Sequence, residues 1–110
     1  MSRVAGRYAK SLMDLAAERN ELAAVVEDVK AIAEACKNRD LYLMLQSPII
    51  AADKKKSIVE AIFGGKISTT TMSFINICIA KGREGLLPEI STELLAEYKK
   101  LQGITSVKVT

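Results

Sequence analysis

A chain of 110 residues with 16 Lys and Arg against 13 Asp and Glu has a net charge of +3, too mild a surplus to imply a nucleic-acid partner. Such a length is enough for one domain to bury a core without metal or disulfide staples. Apolar residues make up 49% of the chain and aromatic ones only 5%, which suits closely packed helices. No apolar run approaches the roughly 20 residues that span a bilayer, and no signal-peptide core opens the sequence.

The first predicted helix runs from about Arg3 to Arg19, with Ser2 as its cap. Val4, Tyr8, Leu12 and Leu15 form an apolar stripe flanked by Ala5, Ala9, Ala16 and Met13, small enough on that flank for a neighbouring backbone to come close. Tyr8 joins an apolar ring to a polar tip, which fits the edge of a core or of a groove. Asn20 reads as the cap of a second helix that carries Glu21 in its first turn and reaches about Lys37. Leu22, Val25, Val26, Val29, Ile32, Ala33 and Cys36 follow helical spacing along it. Two long helices with almost no loop between them predict an antiparallel hairpin.

Leu41 to Leu45 forms one or two further helical turns, ended by Ser47-Pro48. Ile49 and Ile50 read as a buried crossing segment. A fourth helix is expected from about Ala52 to Phe63, with Ile58, Val59, Ile62 and Phe63 on its core face and Gly64-Gly65 as its stop. Lys54, Lys55 and Lys56 splay over most of a helical turn, so they make no groove-matching stripe and read as a solvated face. Gly65-Lys66-Ile67-Ser68 is not a phosphate loop, because Glu60 stands where the first glycine belongs.

The most apolar segment runs from Thr69 to Pro88, with Gly82-Arg83 as the clearest end signal. The alternation of Ile75, Ile77 and Ile79 fits a strand. The cap at Ser68 or Thr69 and the glycine at position 82, suited to a left-handed end, favour a helix. Wound at about 100° per residue, that helix gathers Met72, Phe74, Ile75, Cys78 and Ile79 on a core face and leaves Ile77 outside it. A lone surface isoleucine usually means nothing. Ser73, Ile77 and Ala80, spaced i, i+4, i+7, would nonetheless make a shallow floor for another helix.

Pro88 suits the first turn of a last helix to about Gln102, where Gly103 ends it. Ile104 to Thr110 changes to an alternating period, which predicts a strand-like tail. A strand without a partner is unstable, so residues 1–103 are expected to form a helical domain and 104–110 to begin a truncated C-terminal one. The fold class is all-α.

Chemistry is scarce along this chain. It has no histidine and two cysteines, Cys36 and Cys78, each in an apolar pattern and expected to be a buried reduced thiol, with a bridge between them left open. The carboxylates do not pair for acid–base work, and no clustered ligands predict a metal. No catalytic residue, cofactor or small-molecule substrate is expected.

Val4-Ala5-Gly6-Arg7-Tyr8-Ala9-Lys10-Ser11-Leu12 resembles the opening of the delta subunits of bacterial F-type ATP synthases, the family of the oligomycin sensitivity conferral protein. Lys81-Gly82-Arg83 followed by Leu87-Pro88 is similar to that family's junction between its fifth and sixth helices. The resemblance covers the family's N-terminal domain. It implies a six-helix bundle without catalytic activity, part of the peripheral stalk (stator) on the cytoplasmic face of the bacterial inner membrane. It further implies that a groove between the first and fifth helices receives the N-terminal helix of an alpha subunit. By position Tyr8, Ser11, Leu12, Ser73, Ile77 and Ala80 would line that groove, while Arg7, Gly82, Arg83 and Pro88 would be structural, the arginines through ion pairs. The b-type stalk subunit would be met only through the C-terminal domain. The competing reading is a general helical adaptor that binds nucleic acid or anionic membrane through the Lys54–Lys56 face.

Overall fold

The computed structural model describes residues 3–109, with side chains described from Arg3 to Leu101. Ser2, expected as a helix cap, and Thr110 lie outside the described residues. Six α-helices follow one another: α1 (Arg3–Glu18), α2 (Leu22–Ala35), α3 (Arg39–Gln46), α4 (Ala52–Phe63), α5 (Thr69–Ala80) and α6 (Leu87–Val109). A single 3-10 turn, Glu84–Leu86, leads into α6. α6 packs along α1 and α2, while α5 lies against α4 and α2 and also touches α1. The fold is the expected all-α bundle, and the longest helix is the last.

The helix ends are built by local chemistry. Gly82 has φ +72°, and its N–H donates to Ile79 O at 3.0 Å while that of Arg83 donates to Cys78 O at 2.7 Å, closing α5 as anticipated. Asn20 does the same for α1, which corrects its reading as the cap of α2. Its φ is +56°, its N–H donates to Ala17 O at 3.2 Å and that of Glu21 donates to Ala16 O at 2.7 Å. Asparagine tolerates the left-handed region better than other residues with a Cβ, so it can stop one helix and turn the chain directly into the next.

The buried seam of α1 is not the large-residue stripe. Ala5, Ala9 and Ala16 are wholly buried with Leu12, whereas Leu15 is 39% exposed. Alanines on that line let the neighbouring backbones close in, and this swings Tyr8 and Leu15 to the margin. Across the core, Val25, Val26, Val29 and Ile32 of α2 join Ile75, Cys78 and Ile79 of α5 and Ile90 and Leu94 of α6 in one cluster.

Three further expectations are corrected. Ile49 is 90% exposed, while Ile50 packs against the core. In a short bent segment successive side chains point to opposite sides, so only one of the two isoleucines can turn inward. Lys55 does not belong to a solvated face. It is 3% exposed, and its ammonium donates to Leu45 O at 3.2 Å, to Ser47 O at 2.7 Å and to the Glu84 carboxylate. Three donors meet three acceptors, which ties the C-terminal end of α3 and α4 to the turn before α6. Last, the backbone from Ile104 to Val109 is helical and Gly103 does not end α6. A helix pairs its N–H and C=O groups within itself, whereas an unpaired strand would leave them without partners.

Both cysteines are free. Burial pushes the Cys36 thiol up to about 11. Burial, then the negative charge of Glu84, pushes Cys78 up to about 12.

Removing Lys55 strands a buried carboxylate and two carbonyls, so Lys55→Ala is expected to cost about 3–5 kcal/mol in urea unfolding, against less than about 0.5 kcal/mol for Lys54→Ala. For the thiols the folded pKa lies above the ordinary 9.0. Their contribution to stability is therefore complete below pH 9 and is lost as pH rises through the folded values. Unfolding free energies measured from pH 8 to 11 should fall less steeply in Cys78→Ala than in the unaltered chain.

Candidate partner-binding groove

α1 and α5 diverge at the surface after meeting through an edge-on ring contact. The Tyr8 and Phe74 centroids lie 6.2 Å apart with the planes at 67°, a favourable orientation for two aromatic quadrupoles. Beside that contact is a shallow depression of about 190 Å³, walled by Leu15 of α1 with Arg19 just past its end, and by Thr69, Thr70, Ser73, Phe74 and Ile77 from α5. Leu15 is 39% and Ile77 50% exposed, so two large aliphatic side chains offer partly wetted surface on opposite walls. Apolar surface of this kind between helices is what an amphipathic helix covers.

Of the six residues expected here, two, Ser73 and Ile77, line the depression. Tyr8 meets it through Phe74, which lines it. Ser11 and Ala80 are exposed on the same helices, Ser11 between the turns of Tyr8 and Leu15 and Ala80 one turn beyond Ile77. Leu12 is the exception. It is 1% exposed and belongs to the core, because it falls on the alanine seam. Leu15 and Arg19 were missed by sequence reasoning. The signal was available, since Leu15 follows Ser11 at i+4 and Tyr8 at i+7, but a leucine at helical spacing reads as core by default.

The residues expected to be structural divide. Gly82 turns the chain in the left-handed region, and Pro88, in the first turn of α6, accepts a bond from Thr92 Oγ1 at 3.0 Å. Arg7 and Arg83 are exposed, and among the described residues neither forms an ion pair, which corrects that expectation. Exposed long side chains gain little from such pairs.

Other depressions are larger. One of about 560 Å³ lies where α3 meets the 3-10 turn, and several of its polar groups are paired, although Glu84 Oε1 is buried there without a hydrogen-bond partner. Lys55 binds Glu84, and Gln46 Nε2 donates to Gly85 O at 2.6 Å. A second, also about 560 Å³, has Leu41, Met44, Ile58 and Ile62 in its lining, with Asn38 and Asp40 among its polar residues, and lies away from the α1–α5 face. Among the described residues no cluster of His, Cys, Asp or Glu could hold a metal ion. With Lys55 buried, the lysine run exposes only Lys54 and Lys56.

Comparison with known proteins bears on this geometry. The family described as ATP synthase delta (OSCP) subunit matches residues 4–110. The chain is similar to the ATP synthase subunit delta of Cytophaga hutchinsonii, 44% identical over 110 residues, which are 99% of this chain and 60% of that protein. It is likewise 37% identical over 105 residues to that of Chlorobium phaeobacteroides, covering 94% of this chain and 58% of the relative. The subunit of Desulforamulus reducens is 32% identical over 108 residues, with 97% and 60% covered. The chain thus spans about three fifths of the length of the curated relatives it matches. It belongs to the ATP synthase delta (OSCP) subunit family.

Proposed function

We propose that this chain serves the peripheral stalk of an F-type ATP synthase by holding the N-terminal helix of an alpha subunit in the groove between α1 and α5. The observation that carries the reading is the pairing of Leu15 and Ile77 across the depression, beside Phe74, which lines it and meets Tyr8 edge-on. Family membership supplies the complex, and hence the setting of ATP synthesis coupled to hydrogen-ion transport. The chain's own part there is mechanical. A stator holds without turnover, which calls for an apolar centre, a polar rim and no reactive group.

Ser73, Ser11 and Ala80 suit the rest of the groove because small side chains let a helix backbone lie close, and hydroxyls at the margin can meet its polar edge. On this reading residues 1–103 face the catalytic head, and 104–110 lead toward the domain that meets the b-type stalk. The site would lie at the cytoplasmic face of the bacterial inner membrane, held there through the complex. Among the described residues no helix is long and apolar enough to cross a membrane.

Ile77→Asp puts a charge where the partner helix must exclude water. It is expected to weaken binding of a synthetic alpha-subunit N-terminal peptide by at least about 2 kcal/mol, roughly thirtyfold, in calorimetry on folded protein. Unchanged affinity would sink the groove assignment. Apolar docking also predicts an affinity nearly independent of salt, whereas binding through the exposed lysines would weaken steeply as salt rises.

A further inference from the structure

The α5 wall of the groove is held from behind by a carboxylate of α2 and one at the residue just before it, neither of which lines the depression. Asp28 is only 9% exposed, and its Oδ2 accepts three bonds: Ser68 N–H at 3.0 Å, Ser68 Oγ at 2.7 Å and Thr71 Oγ1 at 2.8 Å. About two turns earlier, at the residue that caps the start of α2, Glu21 Oε1 accepts Thr70 Oγ1 at 2.7 Å. The first turn of α5 is therefore used on two sides. Thr69 and Thr70 line the depression while Ser68 and Thr71 reach back to α2.

A serine cap alone would satisfy this helix start, and Ser68 Oγ does accept the N–H of Thr71 at 3.3 Å. The buried carboxylate adds something a cap does not. It sets a negative charge at the positive end of α5 and joins that end to another helix 40 residues away in sequence. One contact point fixes where α5 starts, and the second, at Glu21, fixes its rotation about its own axis. Glu21 Oε1 also lies 3.7 Å from Arg19 Nε, on the opposite wall of the groove. Both walls are thereby referred to the first turns of α2.

We infer that Asp28 is a positioning residue for partner binding, setting the separation and rotation of the α5 wall relative to α1 so that Ile77 and Leu15 meet one helix together. This rests on the groove reading given under Proposed function. Its test is calorimetry with the alpha-subunit N-terminal peptide on the unaltered chain and on Asp28→Ala, Asp28→Asn, Thr71→Val and Ile77→Asp, each at a temperature where circular dichroism shows it folded. Asp28→Ala should bind roughly tenfold more weakly, as expected when bonds to a charged acceptor are lost. Asp28→Asn should recover much of the loss, because its amide oxygen still accepts the Ser68 N–H. Thr71→Val, wholly buried and outside the groove, should weaken binding about threefold.

If the unaltered chain binds, Ile77→Asp impairs binding and folded Asp28→Ala keeps full affinity, the positioning role is overturned while the groove stands. Should Asp28→Ala fail to fold, an unchanged affinity in Thr71→Val overturns it equally. A peptide that does not bind the unaltered chain removes the groove reading and this inference together.

Discussion

The closeness of α1 to its neighbours is the constraint on which the arrangement rests. Ala5, Ala9 and Ala16 present nothing larger than a methyl group to the core and are wholly buried. Helices that approach so closely bury backbone as well as side chain, and apart from Leu12 the larger residues of α1 lie to either side of the seam. Tyr8 and Leu15 go to the α5 side. The same alanines that let α6 pack along α1 therefore create the edge at which α1 and α5 part. Replacing them by leucine would not enlarge the core so much as push the bundle open, since overpacking a close seam forces backbone shifts.

Two buried ionic groups give this alanine-rich bundle its register. Aliphatic helix faces slide past one another at small cost, and a core with few aromatic residues has few shapes to forbid such sliding. Lys55, bonded to Leu45 O, Ser47 O and Glu84, leaves one relative position for α3, α4 and the turn before α6. Asp28 does the same for α2 and α5. Buried charges contribute little net stability once desolvation is subtracted, yet removing one partner is costly. Their value here lies in specifying geometry.

What could be read in the sequence follows from how local each signal is. The helices, the left-handed turn at Gly82 and the outward placement of Ile77 depend on residues within a turn or two, and winding the chain reveals them. Lys55 could not be found that way. It sits in a run of three lysines that all look alike, and only the arrival of Glu84, 29 residues later, picks out the middle one. Asp28 was equally hidden, because its partners lie 40 and 43 residues away. Asn20 was read as a cap because asparagine serves at both ends of helices. The choice between them depends on how tightly the next helix must turn back. At 104–109 alternation suggested a strand, but a short apolar run carries no period of its own once the preceding helix can simply continue.

The groove itself is small, and its size agrees with the mechanical role proposed for it. A depression of about 190 Å³ between two helices would bury only part of one face of a visiting helix, so the contact by itself should be modest rather than extreme in affinity. Within an assembly a second tether changes that arithmetic. On the proposed reading, a partner held elsewhere in the same complex would meet the groove at an effective concentration near the millimolar range, and release at one point would no longer mean escape. Under load, what matters then is that the groove keeps its shape while it is empty. A wall set by one buried carboxylate and a hydroxyl bond, rather than by a flexible loop, refills without first reforming.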